Sequence, residues 1–227
     1  MKARVKILCQ NWKRPGKPRY RTYEVPFSAG DKVLGGLLYI YKQLDPCLSF
    51  RFNCRGRHCG ECAMMINGKP GLACAIPMSR DLILEPLKNL PVVKDLVIDR
   101  GHVYRSIVER IPSLTQGKDR AEEVVSESRG CKRLRTVSAE VLERVIRLDD
   151  CIHCLCCMAV CPAYKKAPEI FLGPMGLLAL AASSGQIQHT DLSEKAALCI
   201  ECGRCEEVCP RGIPAHSEAI RMLKQNR

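Results

Sequence analysis

The chain has 227 residues, of which 46% are hydrophobic, 26% charged and 5% aromatic. These proportions exclude disordered and fibrous classes, and the length admits one large domain or two small ones with their own cores. The formal charge is +12, most of it carried by residues 1–110, and 16 residues are Cys, a number that needs a chemical reason.

The first elements read as a small mixed α/β module. Arg4 to Cys9 is an apolar-rich strand, NWKRPGKPRY is a loop, and Tyr20 to Phe27 is the returning strand. Asp31 is placed to cap an amphipathic helix bearing Val33, Leu34, Leu37, Leu38, Ile40, Tyr41 and Leu44. Next comes CRGRHCGEC, with Cys54, Cys59 and Cys62, and Cys74 lies further on. C-x4-C-x2-C followed by a distant Cys is the plant-type ferredoxin spacing for a [2Fe–2S] centre. Gly56 and Gly60 supply the positive φ and the close amide approach that a loop wrapped around a cluster needs. Ala63 to Ile66 and Leu72 to Ala75 flank Asn67–Gly68, a hairpin signal. Sheet, crossing helix and cysteine loop together predict a β-grasp ferredoxin.

The segment Pro112 to Lys132 is polar and reads as a connection. Beyond it the pattern is helical. Ser138 is placed to cap a helix bearing Val141, Leu142, Val145, Ile146 and Leu148, which leads into Cys151. Leu177 to Ala182 is a short apolar helix after Gly173–Pro174, and a terminal helix runs from Pro214. Two further cysteine runs interrupt these helices: Cys151, Cys154, Cys157, Cys161–Pro162 and Cys199, Cys202, Cys205, Cys209–Pro210. Both read C-x2-C-x2-C-x3-C-P, the bacterial two-cluster run in which the fourth Cys serves the other cluster. Three cysteines in one tight loop cap three irons, while the fourth, before a helix-starting Pro, points away. One [4Fe–4S] cluster is therefore assigned to Cys151, Cys154, Cys157 and Cys209, and the second to Cys161, Cys199, Cys202 and Cys205. Such a helical domain is expected to have little core of its own and to depend on its clusters.

Structural zinc also favours C-x2-C pairs, but it has no use for a third Cys at the same interval followed by Cys-Pro. Disulfides are disfavoured in the cytoplasmic setting that the lack of a signal peptide or of a run of about 18–20 apolar residues implies. Cys9, Cys47, Cys131 and Cys156 fall outside the ligand pattern and read as small buried hydrophobes. His58, His102, His153, His189 and His216 read as surface or loop residues. Arg51, Arg55, Arg57 and Lys69 surround the first cysteine loop, either to dock an acidic face of a partner protein or to offset cluster charge. Trp12, Lys13, Arg14, Lys17, Arg19 and Tyr20 form a basic-aromatic stretch, but no nucleic-acid fold motif accompanies it, so it reads as a solvated loop. No nucleic-acid partner is expected.

Taken together, PRYRTYEV, DPCLSFRFNCRGRHCGECAMMINGKPGLAC, VVKDLVIDR, CIHCLCCMAVCPA, GPMGLLALA and the final C-x3-C-P resemble the iron–sulfur subunit of succinate dehydrogenase and fumarate reductase over almost the whole chain. The resemblance implies an α+β protein: a β-grasp [2Fe–2S] ferredoxin domain in 1–100, a connecting segment in 101–137, and an α-helical two-cluster ferredoxin domain in 138–227. It implies an electron-transfer subunit with no catalytic residues of its own. FAD sits on a flavoprotein partner that acts on the dicarboxylate, and a third subunit is a membrane anchor or a heterodisulfide-reductase-like protein. The expected location is cytoplasmic, peripheral on the membrane face through those partners. The alternative is a relay for a different flavoprotein oxidoreductase or a heterodisulfide-reductase-type complex; a stand-alone ferredoxin is the third reading. The chain departs from the common family pattern at Cys202, where most members lack a Cys and build a [3Fe–4S] centre. It departs again at Lys166 and Ile200, which stand where the family places a Trp and a His for quinone.

Overall fold

The computed structural model describes residues 1–11, 16–110, 143, 146–183 and 196–225. Strand β1 (Lys2–Cys9) buries Ala3, Val5 and Ile7 and exposes Lys2, Arg4 and Lys6, the period-two pattern of a strand with one face on a core. It pairs antiparallel with β2 (Arg19–Pro26). The hairpin β3 (Ala63–Ile66) and β4 (Lys69–Leu72) joins it through β5 (Asp81–Glu85), which runs parallel to β1 and antiparallel to β3. The five-stranded order is β2-β1-β5-β3-β4, and β6 (Val92–Lys94) with β7 (Val97–Ile98) makes a separate ribbon.

Helix α1 (Val33–Tyr39) lays Val33, Leu34 and Leu37 on the sheet core. Asp31 does not cap it. Its carboxylate accepts the Ser28 N–H at 2.7 Å and closes the preceding turn. The first helical amides, Val33 and Leu34, donate instead to the carbonyls of Ile76 and Ala73 at 3.0 and 2.9 Å, so tertiary contacts replace the side-chain cap. The expected apolar stripe stops at Ile40, because a π turn over Ile40–Leu44 changes the phase and leaves Tyr41 and Leu44 exposed. The hairpin turn falls at Asn67 and Gly68, both left-handed, as expected. Its second strand begins at once, at Lys69, rather than at Leu72, and the chain turns again at Ala73–Ala75, where it carries Cys74.

Helix α2 (Arg100–Glu109) lies at the start of the stretch read as a connection. The Asp99 carboxylate accepts the His102 N–H at 2.9 Å and caps it, and Val103 and Ile107 are buried. The rest of that stretch and the Ser138 cap lie outside the described residues. Residues 146–149 are helical, with Leu148 buried and Ile146 exposed.

The second half is built of short helices: α3 (Cys156–Val160), α4 (Pro162–Lys166), α5 (Gly173–Ser183), α6 (Arg204–Glu207), a π turn over Ala215–Ile220, and α7 (Arg221–Gln225). Pro162 stands at the first position of α4, where its missing N–H costs nothing. The α5 helix starts at Gly173–Pro174 itself and is buried from Gly173 to Ala181 except at Ala179. Phe171, Leu172, Leu177, Leu180, Ala219 and Leu223 build a larger apolar centre than expected, and it is continuous with the core under the sheet. Polar ties cross between the halves: Asn89 Nδ2 donates to the Ala159 carbonyl at 2.9 Å, and Arg110 Nη1 to those of Pro168 and Phe171 at 3.0 and 3.2 Å. Among the described residues no helix is long and apolar enough to cross a membrane.

Candidate iron–sulfur centres

The loop from Cys54 to Cys62 leaves the sheet just before β3, and Cys74 returns beside it after β4. Gly60 takes the left-handed backbone expected of it, at φ 68°. Gly56 does not. Arg55 (59°) and Arg57 (68°) turn left-handed instead, which costs about 1 kcal/mol each for a residue with a Cβ. What offsets the strain is hydrogen bonding. The amides of Gly56, His58 and Cys59 all donate to Cys54 Sγ, at 3.4, 3.3 and 3.3 Å. The Cys54 amide donates to Cys59 Sγ and the Cys74 amide to Cys62 Sγ, each at 3.5 Å. The loop is thus a nest of donors aimed at sulfur. The Gly56 and His58 amides pull the exposed Cys54 thiol down to about 7, whereas burial pushes Cys62 up to about 12.

The two later motifs adopt one conformation twice. The third and fifth residues of each run are left-handed: His153 (51°) and Leu155 (68°) in the first, Glu201 (57°) and Gly203 (70°) in the second. A short helix follows each, α3 or α6, and the two pack together. Each fourth cysteine then receives an amide from the next turn: Tyr164 to Cys161 Sγ and Ile213 to Cys209 Sγ, both at 3.4 Å. Of the two cavities between the motifs, one is lined by Cys151, Cys154, Cys157 and Cys209, and the other by Cys161, Cys199 and Cys202; Cys205 borders both. The fourth cysteine of each run therefore faces the cavity of the other. The sulfurs ring these cavities, and among the described residues no three His, Cys, Asp or Glu converge on a point suited to one metal ion.

Outer contacts hold the rings. Arg211, two residues past Cys209, grips Asp150, the neighbour of Cys151, through Nε at 2.9 Å and Nη2 at 2.5 Å. Lys224 Nζ, on α7, donates to the Cys199 carbonyl at 2.8 Å and to Glu201 at 2.6 Å. Burial raises the thiols of Cys151 to about 11 and Cys205 to about 12, and raises Cys157, Cys161 and Cys199 as well. Cys154 goes the other way, to about 7, first because the Cys156 thiol donates to it. Most of these sulfurs are neutral thiols at pH 7, so a metal that binds them must displace protons.

The remaining sequence-read residues fall as follows. Cys156 is fully buried and Cys9 half-buried, its Sγ 3.6 Å from the Ile7 carbonyl. Cys47 is exposed, against expectation: its neighbour Leu48 takes the buried place, and the Cys47 carbonyl accepts from Lys94 Nζ at 2.6 Å. Cys131 and His189 lie outside the described residues. His58, His102 and His153 are exposed. Of the basic group, Arg51 Nε pairs with Glu61 at 2.6 Å, Arg55 lies over the Phe52 ring at 5.5 Å, and Arg57 and Lys69 are exposed. The residues that sequence reading missed are those joining the loops, above all Arg100 and Tyr104 on α2. The Asp99 cap was the one local sign of that helix.

A mixed sheet crossed by a helix and carrying a four-cysteine loop, joined to paired helical motifs with crossed cysteines, defines a two-domain iron–sulfur protein. Residues 4–105 match the family described as 2Fe-2S iron-sulfur cluster binding domain, and residues 147–213 the 4Fe-4S dicluster domain. The fumarate reductase iron-sulfur subunit of Haemophilus influenzae is 32% identical over 224 residues, covering 92% of this chain and 87% of the relative. That of Mycobacterium tuberculosis is 34% identical over 214 residues, covering 86% and 81%. A subunit of the fumarate reductase (CoM/CoB) of Methanothermobacter marburgensis is 32% identical over 92% of this chain, but the chain spans only 41% of that longer relative. In fold, the chain matches a chain of the Mycobacterium smegmatis Sdh1 complex in the apo form with a TM-score of 0.80 at 22% identity, over 99% of this chain and 94% of that one. The chain belongs to the family of succinate dehydrogenase and fumarate reductase iron–sulfur subunits, and its role is electron transfer.

Proposed function

We propose that the chain holds one [2Fe–2S] cluster on Cys54, Cys59, Cys62 and Cys74, one [4Fe–4S] cluster on Cys151, Cys154, Cys157 and Cys209, and a second on Cys161, Cys199, Cys202 and Cys205. It relays electrons between a FAD-bearing flavoprotein, where succinate or fumarate reacts, and a third subunit. The observation that carries this reading is the crossed lining of the two cavities, where each run of three sulfurs is completed by a fourth from the other run. When bound, such clusters take up and release one electron at a time. The chain itself positions and tunes. The amides around Cys54 stabilise thiolate charge, buried Leu155, Met175 and Leu178 line the cavity of Cys151, Cys154, Cys157 and Cys209 and keep water from it, and Arg211 and Lys224 pin the loops from outside. No group on this chain needs to act on the dicarboxylate.

Cys202 completes a set of four with Cys161, Cys199 and Cys205, the outer ring, which opens to solvent. It is exposed, with Ile200 beside it 64% exposed, so the outer ring is the natural exit toward the third subunit. That subunit is a heterodisulfide-reductase-like protein rather than a haem-bearing anchor, a reading supported by the CoM/CoB designation of the M. marburgensis relative and by the complete ligand set. The complex works in the cytoplasm or on the cytoplasmic membrane face through its partners. Anaerobic purification of the native complex with mass spectrometry of its subunits tests the assignment. A co-purifying flavoprotein that oxidises succinate or reduces fumarate is expected. A flavoprotein that does neither would move the chain to another oxidoreductase, and a stable monomer without partners would make it a stand-alone ferredoxin.

A further inference from the structure

Gly60 is the point where the first cysteine loop touches the second motif. A Cβ there would stand 2.7 Å from the Ile152 carbonyl and 2.9 Å from Cys154 Cβ, so nothing larger fits between the loops. One side chain spans this junction. Arg100, first residue of α2, is 8% exposed, and it shares the status of buried charged residue only with Asp95 among the described residues. Its Nη1 donates to the Gly60 carbonyl at 3.2 Å and lies 3.4 Å from Glu61 Oε1. Its Nη2 donates to the His153 carbonyl, between Cys151 and Cys154. Tyr104, one turn along α2, accepts from Arg100 Nε and Nη2 at 3.1 and 2.9 Å and donates to the same His153 carbonyl at 3.0 Å. Glu61 is shared with Arg51, so the carboxylate does not cancel the Arg100 charge alone.

We propose that Arg100 is the positioning residue of the first electron step: it fixes the gap between the loop of Cys54–Cys62 and the loop of Cys151–Cys157, and it holds a buried positive charge there that favours the reduced state on both sides. The planar fork suits the task, because a rigid guanidinium bonds two carbonyls from two loops at once while Lys offers a single point of charge. A buried charge close to a redox centre acts through a low effective dielectric and is weakly screened by salt. The same contacts would serve a plain structural staple, so the test must read potential and spacing separately.

This inference rests on the ligand assignment above, and the test keeps the two apart. The complex is purified anaerobically as wild type, Arg100→Met, Arg100→Lys and Tyr104→Phe. Iron and acid-labile sulfide are measured first, then the midpoint of each centre by EPR-monitored titration, then the magnetic broadening between the first two centres. In Arg100→Met the reduced-to-oxidised ratio at fixed potential falls about tenfold, equivalent to about 59 mV for a one-electron couple, and the broadening weakens. Arg100→Lys keeps that ratio within about threefold and still weakens the broadening, because the charge stays while the pair of hydrogen bonds to two carbonyls is lost. Tyr104→Phe leaves both potentials in place, since no charge is removed. Unchanged potentials and unchanged broadening in Arg100→Met overturn the proposal. If that variant loses iron, undiminished broadening in Arg100→Lys overturns it instead. Wild-type complex without sulfide would sink the ligand assignment rather than the role of Arg100.

Discussion

The two cysteine regions solve one problem in opposite ways. The first ring is local: three of its sulfurs lie within nine residues, the ring is open to solvent at Cys54, and backbone amides do the organising. The paired rings are non-local: each borrows a sulfur from a run about fifty residues away, and of their eight cysteines three are buried, four are half-buried and Cys202 alone is exposed. A local ring can keep its shape on a scaffold that folds without it. A crossed ring ties distant segments together, so its metal becomes part of the fold. The difference assigns the two halves different dependences on iron.

The largest effect follows from that contrast. Stripping iron anaerobically with a chelator should raise amide exchange in 151–161 and 199–209 by more than about a hundredfold, about 2.7 kcal/mol, while β1 and β5 keep their protection. Equal loss in both halves, read by hydrogen-exchange mass spectrometry, would break the comparison. Gly60→Ala comes next, because it strains a left-handed residue and drives a Cβ into the Ile152 carbonyl. It should cost about 2 kcal/mol or more in denaturant unfolding and disturb the second motif as well as the first loop. A cost under about 0.5 kcal/mol, the ordinary surface range, would deny the close contact.

The smallest effect sharpens the picture of the sheet. Burial, with the Asp45 carboxylate accepting from its hydroxyl at 2.6 Å, raises the pKa of Tyr23. A raised folded value means that the native state holds its proton longer than the unfolded chain. The stability is complete below about pH 10, the unfolded value, and declines as pH rises toward the folded one. Tyr23→Phe should lose about 1 kcal/mol at pH 7 and show a shallower alkaline decline than wild type. Parallel alkaline curves in thermal unfolding would refute the assignment.

The iron–sulfur character of the two domains was legible in the sequence, because iron fixes sulfur spacing within a few residues, and such spacing survives any change in the surrounding fold. The sheet strands and the Asn67–Gly68 turn were legible for a similar reason: alternation and turn chemistry are local. What escaped was settled at long range. Asp31 looks like a cap, but the amides of α1 find carbonyls on the Ala73–Ile76 turn. The stripe toward Leu44 looks helical, but a π turn rotates it out of the core. Arg55 and Arg57, rather than Gly56, bend the first loop, because converging amide–sulfur bonds outweigh the strain. Arg100 closes the stretch VVKDLVIDR, but nothing in that stretch says what it does; its meaning lies in carbonyls some forty and fifty residues away.

The crossed pair of rings is the centre of the molecule's chemistry, and iron stoichiometry with spectroscopy of anaerobically isolated protein reads it directly. About ten irons per chain, divided two, four and four, with two cubane signals on reduction, is the predicted result. A sample limited to a three-iron EPR signal that iron and reductant do not convert, or one lacking acid-labile sulfide, would contradict it.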